Sequence, residues 1–137
     1  MTATLTRSHT FSDSTDSLLR FAMRVDATLT GVLGLAIAAM ADPLSRLTGL
    51  TAADEYLVGA AFVLCGLVVY ALAAAPDLCR VGIATAISNG LFTAALPAVV
   101  ATGALPLTTC GVVSTLAASV YTATFAVLQY LGVRRLA

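Results

Sequence analysis

Residues 56–75 read YLVGAAFVLCGLVVYALAAA, twenty residues in a row without a charge. An α-helix needs about 20 such residues to cross the hydrocarbon core of a bilayer. No water is available there, so the backbone must satisfy its own hydrogen bonds, and a helix does so within one segment. Three further apolar stretches, 25–41, 81–101 and 107–131, have comparable length. With the flanking turns included, spans are expected at about 17–41, 54–75, 78–101 and 106–132. The expected fold is all-α: an integral membrane antiparallel four-helix bundle occupying residues 16–137. Residues 1–15 are rich in Thr and Ser, without periodicity, and read as a mobile polar arm.

Composition supports the same class. Hydrophobic residues make up 59% of the chain and charged residues 10%, where a soluble domain carries about 25% charged. Formal net charge is zero, so nucleic-acid binding has no electrostatic basis. All seven cations are Arg, and Ala, Leu, Val, Thr and Gly dominate, a bias that suggests GC-rich bacterial coding and the bacterial inner (plasma) membrane as location. Cys65, Cys79 and Cys110 have no C-x-x-C spacing and read as small apolar residues with free thiols. The single His9 lies in the polar arm without ligand neighbours. No Ser–His pair, metal cluster or carboxylate dyad has workable spacing, so no catalytic residue, metal or cofactor is expected.

Loop arginines set orientation. Arg7, Arg20 and Arg24 precede the first span, Arg80 joins the second to the third, and Arg134 and Arg135 follow the fourth; only Arg46 lies on the other side. Six against one predicts both termini in the cytoplasm. Ala39-Met40-Ala41 has the form of a signal-peptidase site, but Asp26 interrupts the apolar run and the region before it is long and acidic, so an uncleaved first span is expected.

Thr15 or Ser14 reads as the cap of the first helix, with Asp16 and Arg20 paired at i,i+4 and Arg20 and Arg24 near lipid phosphates. Asp42-Pro43 reads as the start of a short interfacial helix closed by Gly49, and Thr51 with Asp54 as a capping box for the second span. Asp54 and Glu55 are best explained as capping acids. Pro97 falls inside the third span. Tyr56, Tyr70, Tyr121 and Tyr130 read as interface anchors.

Small and weakly polar residues at helical spacing mark the faces that pack, because lipid removes the usual hydrophobic drive between helices. The first span offers Ala27, Gly31, Gly34 and Ala38; the second Gly59, Val63, Gly66 and Tyr70; the third Gly82, Ala86, Asn89 and Thr93; the fourth Gly111, Thr115, Ser119, Thr122, Ala126 and Gln129. Asp26, two residues beyond Arg24, is expected to be shallow and to meet a donor such as Gln129, Arg134 or Arg80. Asn89, nine residues past Arg80, is expected about 14 Å deep as an interhelical clasp to a Thr or a carbonyl. The hydroxyls of the fourth span are expected to bond their own helix.

Two segments carry a resemblance. One runs from Leu19 through Arg20, Arg24, Asp26 and Ala27 to Thr30-Gly31; the other is Leu128-Gln129-Tyr130-Leu131-Gly132-Val133-Arg134-Arg135. With the Asn89 span they resemble a group of small uncharacterised four-helix integral membrane proteins of bacteria, mycobacterial-type members included. The first span there opens with an L-R-x-D-A-x-x-T-G-like run, from which Met23-Arg24-Val25 is a small departure here. The resemblance brings no activity; it implies that Asp26, Asn89 and Gln129 belong to one arrangement.

Short loops and the lack of a catalytic constellation point to a non-enzymatic accessory or scaffold subunit that contacts lipid and other membrane or envelope proteins. The alternative is a small proton-coupled transporter, acting as a homodimer with Asp26 as coupling carboxylate.

Overall fold

The computed structural model describes residues 6–136, with side chains from Asp16 onward apart from Ser17. Five helices follow in order: α1 (Thr6–Ala39), α2 (Ala41–Thr48), α3 (Ala52–Leu72), α4 (Leu78–Thr102) and α5 (Thr109–Leu136), with no strand among the described residues. Four segments are long and apolar enough to cross a membrane: Leu18–Ala39, Ala52–Leu72, Leu78–Thr102 and Thr109–Leu136. The chain is a multi-pass helical membrane protein.

The helix ends follow from local chemistry. Gly49 closes α2 at φ 89°, with its N–H on Ser45 O at 3.2 Å. The Thr51–Asp54 capping box forms: Thr51 Oγ1 accepts from Asp54 N at 3.1 Å and Asp54 Oδ2 accepts from Thr51 N at 3.2 Å. Asp77 caps α4 by accepting from Arg80 N at 3.3 Å.

Several helix ends differ from the sequence reading: α3 closes at Leu72 instead of 75, α5 opens at Thr109 instead of 106, and three more differ as follows. The first helix starts at Thr6 instead of next to Thr15 or Ser14, since extending an established helix costs little per residue; the polar arm's residues 1–5 and the His9 side chain lie outside the described residues. Met40, instead of Asp42, precedes α2, and Asp42 sits in its first turn. Arg134 and Arg135 do not stop α5, which runs to Leu136; Arg forms helix well and suits the negative end of the helix dipole.

Arg20 corrects a further expectation. It faces the protein, not lipid phosphates: its Nη1 donates to Ala73 O at 2.6 Å and Ala75 O at 3.3 Å, while Asp16 holds the same guanidinium at 3.3 Å. It thus satisfies carbonyls left open at the end of α3.

Helix α1 is the hub. Its Gly34 meets Gly59 and Val63 of α3, and its Ala27 and Gly31 meet Gly66. A Cβ added at Gly66 would stand 2.6 Å from Ala27 O, so the backbones approach as closely as glycine permits. Gly31 contributes only its backbone there; a Cβ on Gly31 would meet nothing within 4 Å. Helix α4 packs chiefly on α5, and α5 and α4 both reach α1. Helix α3 touches α4 only slightly and α5 not at all among the described residues, so its place among the helices is set by α1 and, at one end, by α2. Glycine contacts bind α3 to α1 alone.

At the end where α1 enters, Leu19, Met23, Ala73, Leu78 and Val133 form the apolar core. Gly82 and Gly132 leave room for the Leu19 side chain. Elsewhere the large apolar residues point outward: Leu57, Leu64 and Leu67 of α3 and Leu91 of α4 are exposed. Such surface would aggregate in water and is the surface lipid wets.

Candidate functional site

Asp26 and Thr30 lie one helical turn apart on α1, facing α4 and α5. The Asp26 side chain is buried, with 5% of the residue exposed. Each of its oxygens accepts two hydrogen bonds. Oδ1 takes Tyr121 OH at 3.0 Å and Thr30 Oγ1 at 3.3 Å. Oδ2 takes Gln129 Nε2 at 2.8 Å and Asn89 Nδ2 at 2.9 Å. Asn89 Nδ2 also donates to Gln129 Oε1 at 3.1 Å, and Gln129 is fully enclosed. One carboxylate therefore joins α1, α4 and α5 through four neutral donors. An ionised carboxylate has acceptor sites for all of them, and no described cation lies within ion-pair distance.

Asp26, Asn89 and Gln129 are brought together; Arg134 is not. Its guanidinium sits 5.9 Å from the ring centroid of Tyr130 on the outside of α5. Arg80, the other cation considered as a partner, pairs with Asp77 at 3.5 Å instead. Asp26 itself lies within the first candidate span. It lies eight residues beyond Leu18, about 12 Å along the helix, and Asn89 lies eleven beyond Leu78, about 16 Å. Asn89 does cross between helices, to the side-chain carbonyl of Gln129 and to the Asp26 carboxylate.

Tyr121 is the functional-site residue the sequence reading missed. It is no interface anchor: it lies in mid-helix, in an i, i+4, i+8 row with Phe125 and Gln129, and its ring packs on Phe125 at 4.8 Å. That row, together with Thr30 one turn from Asp26, was the available signal.

A second polar layer lies one turn further along α4. Thr93 Oγ1 donates to Asn89 O at 2.8 Å and meets Thr122 Oγ1 at 2.9 Å. Ser119 Oγ donates to Thr93 O at 2.8 Å, the carbonyl that Pro97 cannot serve. Thr115 bonds its own helix at Gly111 O, as expected of these hydroxyls, whereas Ser119 crosses to α4. Gly111 lets α5 close on the Thr48 carbonyl of α2.

The far end carries a third arrangement. Glu55 is buried and accepts from Thr48 Oγ1, so it ties α3 to α2 instead of capping its own helix. Thr48 O in turn accepts from Thr108 N at 2.9 Å, which pins the α4–α5 connection. Among the described residues every buried side-chain nitrogen and oxygen has a partner, and the three cysteines are free and apart. Comparison with protein-family models, curated proteins and solved structures finds no match to this chain.

Proposed function

We propose that this chain is a non-enzymatic protein of the bacterial plasma membrane, with both termini cytoplasmic and its long helices antiparallel, that acts as an accessory or scaffold subunit for other cell-envelope proteins. The observation that carries the reading is the saturated Asp26 carboxylate. A group meant to exchange a proton or ion needs a free coordination position and a path to solvent; here four donors fill every position and the residue is 5% exposed. The carboxylate is then a lock that fixes α1 against α4 and α5. Orientation is supported by the arginine asymmetry of the loops and by opposed register, Ala27 with Gly66 and Gly34 with Gly59 on one pair, Asn89 with Gln129 and Thr93 with Thr122 on the other. The outward apolar faces of α3 and α4 leave room for membrane partners.

Mild crosslinking in cells, followed by identification of co-purified proteins, tests this. A defined envelope protein joined to the chain is expected; a lone homodimer counts against the scaffold reading. The transporter reading draws on one observation, the depth of Asp26, about 12 Å along α1. Substrate-dependent proton flux in proteoliposomes that vanishes in Asp26→Asn would establish it; flux equal to that of empty vesicles would remove it.

A further inference from the structure

We propose that the outer groove between α4 and α5 binds one anionic phospholipid, with an acyl chain along the groove and the phosphate between Arg80 and Arg134. This rests on the membrane-spanning reading above. The groove holds about 300 Å³ and is walled by Ala86, Ile87, Ala126, Val127 and the Tyr130 ring, with no polar wall. It is shaped for hydrocarbon, and its mouth is cationic.

The continuity of groove and charge follows from helical spacing. Arg80 precedes Ile87 by seven residues, so both lie on one face of α4, about 10 Å apart along the axis. Arg134 follows Tyr130 by four residues and Val127 by seven, on one face of α5. Gly82 faces Val133, which puts the two arginines at the same end of the helix pair.

Neither cation is held in a buried ion pair among the described residues. Arg80 has only a surface pair with Asp77, and its side chain is 87% exposed. Arg134 has no carboxylate within 4.0 Å among the described residues, and the Tyr130 ring holds its guanidinium above the groove. A guanidinium resting on a ring still presents in-plane N–H donors, the geometry that grips a phosphate with two bonds. A zwitterionic headgroup would bring an ammonium toward both arginines; an anionic headgroup brings none, and Arg135 adds to the same field.

The full chain in detergent micelles is titrated separately with phosphatidylglycerol and phosphatidylcholine, and bound lipid is read by native mass spectrometry. One phosphatidylglycerol per chain is expected, at least about tenfold tighter than phosphatidylcholine. R80Q/R134Q should weaken it about 30-fold, about fivefold per arginine. Ala86→Phe, which fills the groove and keeps the charges, should remove the same adduct, and R24Q should retain it. Equal affinity for the two lipids, an adduct unchanged in either groove variant, or its displacement by inorganic phosphate alone overturns the site. A chain that stays in solution without detergent and takes up neither lipid overturns the membrane reading instead.

Discussion

The Ser119 hydroxyl donates to the Thr93 carbonyl at 2.8 Å, across the α4–α5 interface and onto the one backbone acceptor that Pro97 leaves without its i+4 donor. In lipid a freed carbonyl has no water to turn to, so a neighbouring helix must supply the hydrogen. Pro97 and Ser119 form a compensated pair, 22 residues apart in sequence.

Ser119→Ala should therefore destabilise the chain by about 1 kcal/mol in a Pro97 background. Pro97→Ala restores the helical N–H, so the double variant should recover most of that loss. Unfolding in mixed micelles with increasing denaturing detergent reads both; a Ser119→Ala cost unaffected by Pro97→Ala would separate the two residues.

Asp26→Asn keeps the shape but turns one acceptor oxygen into a donor facing donors. It should cost about 2–4 kcal/mol, as removal of one partner from a buried charged network does. Tyr121→Phe deletes one of four donors and should cost about 1 kcal/mol. The same unfolding assay ranks them, and an Asp26→Asn no weaker than Tyr121→Phe would show that the carboxylate is not the hub.

Gly66→Ala and Gly31→Ala should differ although both glycines lie at the α1–α3 seam. A Cβ at Gly66 would stand 2.6 Å from Ala27 O, whereas at Gly31 it would meet nothing within 4 Å. Overpacking should cost Gly66→Ala about 1–3 kcal/mol, and Gly31→Ala should be neutral or gain up to about 1 kcal/mol in helix propensity. Equal effects would mean that the two helices are not in the described register.

Arg20→Gln withdraws the guanidinium from Ala73 O and Ala75 O. Amide exchange should quicken over residues 73–77, the α3–α4 connection, while exchange in the middle of α5 stays unchanged. Uniform acceleration along the chain would point to global loss of stability instead.

The four spans were legible because hydrocarbon thickness fixes the length of a crossing helix, and residues 56–75 answer it without interruption. The Thr51–Asp54 box and the Gly49 stop were legible because caps act over three or four residues. Partner choice was not. The glycines of α1 and α3 mark close approach but do not say which helix each meets, so the pairing of α3 chiefly with α1 was not legible. The inward turn of Arg20 was not legible because the Ala73 carbonyl it meets lies 53 residues further along the chain. Gln129 was among the donors expected for Asp26, and the resemblance added Asn89; Tyr121 was missed although it shares an i, i+4, i+8 row with Phe125 and Gln129. Glu55 was taken for a cap because its contact, Thr48, lies in a different helix.

The clasp itself is tested most directly by a double-mutant cycle on Asp26→Ala and Gln129→Ala, read by reversible unfolding in micelles. Both residues belong to one network spanning α1 and α5, with Gln129 Nε2 2.8 Å from the Asp26 carboxylate, so a coupling of about 1–2 kcal/mol is expected. Losses that simply add, within about 0.5 kcal/mol, would contradict a carboxylate that holds the two helices together.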